Sequence, residues 1–120
     1  MAYDSIATWW FNDETDIPAD VPLVPGEEAI AAYTTLRDVA VFTTKRLIVR
    51  DAQGLTGKKK EIYSLPYSSI TMWSSENAGK IDLDAELELW TRAGRIKVSV
   101  GKKVDVRALD QLISRCVLGA

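Results

Sequence analysis

The chain has 120 residues, 47% of them apolar, and a formal charge of −2. That is enough for one domain with its own core, but the apolar runs break within about five residues, against the roughly 20 needed to cross a bilayer. There is no histidine, which removes Ser-His-Asp and Cys-His arrangements, the commonest general base and the usual transition-metal ligand. The single cysteine, Cys116, allows no internal disulfide, which fits a reducing compartment such as the cytoplasm.

Charge is unevenly spread. Residues 1–28 hold seven acids and no Lys or Arg, while the remainder holds 15 basic and 10 acidic residues. An acidic leader therefore precedes a mildly basic body. No basic run opens the leader, so it is not a secretory signal.

Residues 3–12 read as a short helix or arm, with Ile6, Trp9 and Trp10 on one helical face. Residues 13–26 carry Pro18, Pro22 and Pro25, which disfavour helix and predict an extended linker. The expected division is an acidic, proline-containing arm over 1–26 and a compact domain over 27–120.

From there the pattern is β. Glu28–Thr34, Val39–Thr43 and Arg46–Arg50 read as strands, with Leu47 and Val49 on one face and Arg46, Ile48 and Arg50 on the other. Residues 51–58 hold two glycines and predict a turn. Lys59–Leu65 and Ile70–Ser74 follow as strands, and residues 76–80 as a connection. In Asp82–Thr91, Leu83, Ala85, Leu87 and Leu89 alternate with Asp82, Asp84, Glu86 and Glu88, the mark of a strand with one dry and one wet face. Ala93-Gly94 offers a hairpin turn into Arg95–Val100. Centred there, it pairs Leu89 with Val98, Leu87 with Val100 and Trp90 with Lys97. The chain closes on an amphipathic helix over Val106–Leu118, with Leu109, Leu112, Ile113 and Cys116 on its apolar face and Asp105 as N-cap. Seven antiparallel strands and one terminal helix predict a mainly β fold, a partly open barrel or sandwich capped by the helix.

Three segments, DVAVFTTKRLIVRDAQGLTGKK (Asp38–Lys59), SLPYSSI (Ser64–Ile70) and GKIDLDAELELW (Gly79–Trp90), together resemble the small bacterial pleckstrin-homology-like domain family. The resemblance implies a strongly bent antiparallel barrel of seven strands closed by a C-terminal helix. It also implies ring-forming homo-oligomers with no enzymatic activity and no confirmed ligand. The acidic, proline-rich N-terminal segment with Trp9-Trp10 departs from the family pattern, and no family role is carried onto it.

Two sets of candidate site residues stand out. The first is basic: Lys58, Lys59 and Lys60 after a turn, with Lys45, Arg46 and Arg50 on neighbouring strands. In eukaryotic pleckstrin-homology domains, basic residues around an early strand-strand loop grip inositol phosphates, although the loop here is not the first of the domain. A lysine cluster near an anionic membrane gains about 1 kcal/mol per charge; on an exposed turn it equally serves solubility and edge protection. The segment GLTGKK is not a phosphate-binding P-loop, because only two residues separate its glycines and Lys59 follows Lys58 where Ser or Thr is required.

The second set is Asp84, Glu86, Glu88 and Trp90, on the wet face of the clearest strand. Asp82, Asp84 and Glu86 do not open a calcium loop, since Leu87 and Ala93 fall where glycine and a bidentate glutamate belong. The acids suit either a solvated strand face or a contact with a neighbouring subunit's Arg46, Arg50 or Lys58–Lys60. Trp90 on that face suits an interface core. Cys116 reads as a core residue. The expectation is a non-catalytic, cytoplasmic, self-assembling interaction scaffold with no cofactor, no metal and no nucleic-acid partner. The alternative is a peripheral module that binds anionic lipid or phosphate groups through the basic turn.

Overall fold

The computed structural model describes residues 5–53, 58–79 and 84–119. In chain order these form β1 (Ser5–Phe11), β2 (Asp13–Thr15), β3 (Ala29–Thr34), β4 (Val39–Thr43), β5 (Arg46–Gln53), β6 (Lys59–Pro66), a 3-10 turn (Tyr67–Ser69), β7 (Ile70–Glu76), β8 (Ala85–Thr91), β9 (Gly94–Val100) and α1 (Val106–Leu118). The strands make two sheets, one of four in the order β1-β9-β8-β7 and one of five in the order β2-β3-β4-β5-β6. The mainly β class with a terminal helix is as expected, built as two sheets rather than a closed barrel. The glycine turn at 54–57, Lys80 of the 76–80 connection and the first residues of the Asp82 strand lie outside the described residues.

The core takes one face of each element. Phe42, Leu47 and Val49 from the five-stranded sheet meet Leu87, Leu89, Ile96 and Val98 from the four-stranded sheet, and Leu109 and Ile113 from α1. The helix follows its pattern closely. The Asp105 carboxylate accepts from the backbone N–H of Arg107 and Ala108, at 3.0 and 3.2 Å, satisfying two donors that the first turn leaves unpaired. Gly119 ends it at φ 73°, a left-handed conformation that glycine adopts without penalty. Asp110 holds the helix to β7, accepting from Trp73 Nε1 at 3.2 Å and from the Ser75 hydroxyl.

Two readings of the sequence are corrected. Residues 5–11 are strand, not helix. Over so short a segment both periods fit, because Ile6, Trp9 and Trp10 have helical spacing while Ala7, Trp9 and Phe11 have strand spacing. β1 pairs with β9 in parallel, Trp9 beside Val98 and Phe11 beside Val100, so the sheets are not wholly antiparallel. At Asn12 the chain crosses between them. The Phe11 carbonyl accepts from Gly101 N–H at 2.9 Å, and Asn12 N–H donates to the Thr34 carbonyl at 2.9 Å. β2 then pairs with β3. Residues assigned to the arm thus share both sheets with the body of the domain.

The β8–β9 hairpin is also corrected. Its central residues are Arg92 and Ala93, and the pairs are Leu87 with Val98, Leu89 with Ile96, Glu88 with Lys97 and Trp90 with Arg95. Thr91 sets this turn, its Oγ1 accepting from the N–H groups of Ala93 and Gly94, both at 3.1 Å. Each partner moves by two positions, so every side chain keeps its expected face. Gly94 opens β9 at φ 143°, where a Cβ would lie 2.6 Å from Ile6 Cγ2. The glycine therefore serves the close approach of β1 rather than the centre of the turn.

Phe11 is fully buried, stacked on Tyr33 with centroids 5.7 Å apart and edge-on to Phe42 at 6.1 Å. Because it fills the corner where the two sheets are joined, Phe11→Ala is expected to destabilise the chain by about 3–5 kcal/mol. Urea unfolding followed by tryptophan fluorescence measures this; a loss below about 1 kcal/mol is incompatible with such a cavity.

Candidate functional site

The six basic candidates do not converge. Arg46 and Arg50 lie on the outer face of β5, and each already holds a carboxylate. Glu27, whose side chain is wholly buried, accepts from Arg46 Nε at 2.9 Å through Oε2 and from Arg46 Nη2 at 3.0 Å through Oε1. The Thr43 hydroxyl donates to Oε2 at 2.6 Å, and Val24 N–H donates to Oε1 at 3.0 Å. Arg46 also donates to the Pro22 carbonyl at 2.7 Å and to Ser64 Oγ at 2.9 Å. Such bidentate, charge-assisted geometry is the strong form of the contact. It holds the Glu27 carboxyl down at about 2, chiefly through Arg46 and against the opposing effect of burial.

The local sequence builds this clamp. Val24-Pro25-Gly26-Glu27 is a β-turn closed by Glu27 N–H to the Val24 carbonyl at 3.0 Å, with Gly26 at φ 85°. Proline before a positive-φ glycine is the type II pattern. On the other side, Thr43 Oγ1 accepts from the N–H groups of Lys45 and Arg46, both at 3.0 Å, and shapes the β4–β5 turn. The Thr43-Thr44-Lys45-Arg46 run thus orders a turn and binds an internal anion.

Arg50 makes the same kind of contact with Asp38, at 2.8 Å from Nε and 3.3 Å from Nη2, and reaches Asp20 at 3.0 Å. Lys60 Nζ lies 4.0 Å from the same Asp38. Lys45 sits in the turn before β5, whereas Lys58, Lys59 and Lys60 are exposed at the start of β6, beyond the far end of β5. Eight strand residues separate the two ends by roughly 25 Å, so Lys45 and the lysine turn cannot share one phosphate.

Of the acidic set, Glu86, Glu88 and Trp90 share one surface. On the outer face of the four-stranded sheet, Ser5, Arg95, Trp90 and Met72 form one row across the strands. Thr8, Lys97, Glu88 and Ser74 form the next, and Trp10, Ser99, Glu86 and Glu76 the third. Met72, opposite Trp90, is 51% exposed, and Ile6, in the register irregularity of β1, is 56% exposed. Glu86 stands directly opposite Glu76, an arrangement of like charges that costs stability. Neither has an ion-pair partner within 4.0 Å among the described residues. Glu88 lies 3.6 Å from Arg95 Nη1. Asp84 stands apart from these rows, beside Trp10, Gly101 and Lys102 at a shallow cavity of about 300 Å3.

The sequence reading singled out the cations and missed the acids that hold them, Asp20, Glu27 and Asp38. Pro25-Gly26 was the available signal for Glu27, since it marks a turn that aims the next side chain back at the sheet. Cys116 packs half-buried against the core, as expected, and lines a cavity of about 350 Å3 with Ile30, Leu112 and Arg115.

A family model described as "Bacterial PH domain" matches residues 4–117. Uncharacterized protein YjqA of Bacillus subtilis (strain 168) is 54% identical over 68 residues, covering 57% of this chain and 54% of its own length, so the chain spans about half of that relative. Uncharacterized protein YozO of the same organism is 30% identical over 93 residues, 78% of this chain and 81% of its own. The crystal structure of a DUF1696 family protein with a pleckstrin-homology domain from Shewanella loihica PV-4 is similar at 39% identity and TM-score 0.73, over 79% of this chain and 83% of that one. That of a pleckstrin homology domain from Shewanella amazonensis SB2B is similar at 41% identity and TM-score 0.66, over 81% and 80%. The PH-like fold read from the motifs is thereby shown. No helix among the described residues is long and apolar enough to cross a membrane.

Removing the Glu27 carboxylate strands Arg46 against a partly buried site, so Glu27→Ala is expected to cost about 3 kcal/mol. The pair also sets an acid limit. The carboxyl titrates lower in the folded chain than its ordinary 4.5, so its stabilisation is complete above about pH 4.5 and is lost as pH falls toward about 2. Urea midpoints measured down this range should fall less steeply in Glu27→Gln than in the unsubstituted chain; identical slopes would contradict the pairing.

Proposed function

The chain belongs to the bacterial PH domain family, and from that premise we propose that it is a non-catalytic interaction module of the cytoplasm that assembles with copies of itself. The observation that carries this reading is the outer face of the four-stranded sheet. Glu76 and Glu86 oppose each other there beside Glu88, next to the short apolar row of Trp90 and Met72. A lone domain gains nothing from placing two glutamates face to face beside exposed apolar side chains. A basic partner surface relieves the repulsion and buries the apolar row, in the arrangement of an apolar core with a charged rim.

A second copy has such a surface in Lys58–Lys60 at the start of β6. Arg46 and Arg50 are less suited, since each is engaged by carboxylates of its own chain. Acidic face against lysine turn is a head-to-tail contact between two different surfaces, the type that closes into rings. Phosphate or anionic lipid at the lysine turn is the second reading, favoured by the exposure of Lys59 and Lys60. It ranks lower because three of the six cations, Arg46, Arg50 and Lys60, pair with internal carboxylates and Lys45 lies at the opposite end of β5. Nucleic acid has no comparable basic surface to meet.

Light scattering after size exclusion, at micromolar concentration, should give a multiple of the 13.3 kDa chain mass, and a monomer would refute self-assembly. Charge reversal in Glu86→Lys, which replaces the Glu76–Glu86 repulsion with an attraction, should return the mass to the monomer without lowering the unfolding midpoint, whereas an intact assembly rejects this face as the contact. For the second reading, co-sedimentation with phosphatidylserine vesicles should show no acidic-lipid dependence. Binding that disappears when Lys58, Lys59 and Lys60 are all replaced by alanine would reverse the ranking.

A further inference from the structure

Trp9 and Trp10 are neighbours on β1, the edge strand of the four-stranded sheet. Successive side chains of a strand point to opposite faces, yet both tryptophans line one cleft of about 200 Å3. Val49 lines it from the core side, and Thr8 and Ser99 from the outer face. The cleft therefore wraps the free edge of β1. Its far wall is the β3–β4 turn and the end of β5.

That wall is firmly built. Thr35 N–H donates to the Asp38 carbonyl at 3.1 Å, and Thr35 Oγ1 accepts from Asp38 N–H at 3.0 Å. Arg50 holds the Asp38 carboxylate from β5. The turn so fixed carries Arg37, whose Nε meets Asp51 Oδ1 at 3.0 Å. Among the described residues, the Arg37 Nη groups and Asp51 Oδ2 have no further partner. Nor do the indole N–H groups of Trp9 and Trp10 or the hydroxyls of Thr8 and Ser99. The cleft thus joins two aromatic rings to a group of polar atoms with unused hydrogen-bonding capacity.

The lining limits what can bind. Its two cations, Arg37 and Arg50, are each neutralised by a carboxylate of the chain, so no free charge is left for a phosphate or a carboxylate. A wholly apolar ligand would take the hydroxyls and the Arg37–Asp51 pair out of water without replacing their partners. A neutral molecule with a flat apolar face and a rim of hydroxyl groups meets both conditions, and a pyranose ring is such a molecule. Its C–H face suits the negative face of an indole. Two neighbouring hydroxyls suit the ion pair, one accepting from Arg37 Nη and the other donating to Asp51 Oδ2. The volume is below the roughly 300–1,000 Å3 of common ligand pockets, which favours one ring over a chain of them. We propose that the cleft between β1 and the β3–β4 turn binds a single neutral sugar ring, stacked on tryptophan and held at two adjacent hydroxyls by Arg37 and Asp51. The lysine turn has no part in it. Trp10 and Ser99 also belong to the third row of the acidic face, so binding is tested with and without self-assembly.

The full chain and its Glu86→Lys variant are each titrated with D-glucose, D-galactose and D-mannose, and intrinsic tryptophan fluorescence is followed. At least one sugar should change the emission with a Kd on the order of 1–10 mM. Arg37→Ala should weaken that binding about tenfold while leaving the unfolding midpoint nearly unchanged, because the ion pair is largely exposed. Trp10→Phe should lose much of the signal. Glycerol, which has hydroxyls but no flat face, and inorganic phosphate should leave the emission unaltered. Saturable binding by either chain upholds the site. Binding by neither overturns it, whatever the particle mass, so its failure is distinct from failure of self-assembly. Affinity unchanged in Arg37→Ala, or an equal response to glycerol or phosphate, also overturns it.

Discussion

A carboxylate shut away from water either finds cations and donors or gives up its charge. Glu27 finds them, and much of the five-stranded sheet is arranged around that fact. Its partners come from the turn before β3 (Val24), the end of β4 (Thr43) and the start of β5 (Arg46). Arg46 in turn reaches Ser64 on β6. One buried charge thus ties the entry of the domain to three consecutive strands. The desolvation of such a pair offsets much of its Coulombic attraction, so its larger effect is on geometry: it fixes where β3 must begin.

The same economy explains the apparent surplus of cations. The run from Arg37 to Lys60 carries many positive charges, but Arg37 meets Asp51, Arg46 meets Glu27, and Arg50 meets Asp20 and Asp38. Two of these acids come from the acidic leader. The charge asymmetry between leader and body is therefore partly an intramolecular complementarity, and the leader joins the body through β1, β2 and the Asp20 and Glu27 ion pairs.

Much of this fold was legible because its signals are local and redundant. β8 alternates apolar and acidic residues strictly, and α1 has both a capping aspartate and an i, i+3, i+4, i+7 stripe, so propensity and pattern agree. The hairpin register was not legible, because it hinges on one hydroxyl: Thr91 selects Arg92-Ala93 over Ala93-Gly94, and both registers pair apolar residues. β1 was misread because seven residues are too few to separate a period of two from one of 3.6. The dryness of Ile48 was invisible for a different reason: its cover, Val21, is distant in sequence and belongs to a proline-rich segment without periodicity. For the candidate site, the sequence showed which residues carry charge. It did not show which charges are already spent on one another, since that depends on contacts 12 to 30 positions apart.

The parallel pairing of β1 with β9 has a consequence for biosynthesis. Ser5 pairs with Arg95, so about 90 residues must leave the ribosome after β1 before its partner strand exists, a delay of several seconds at roughly 5–20 residues per second. Through that interval Trp9 and Phe11 have no neighbouring strand to pair with. Loop-closure entropy also opposes so distant a contact until the intervening hairpins have drawn the ends together. The first strand to be translated is thus among the last to dock, and the nascent chain carries an unpaired aromatic strand for most of its emergence.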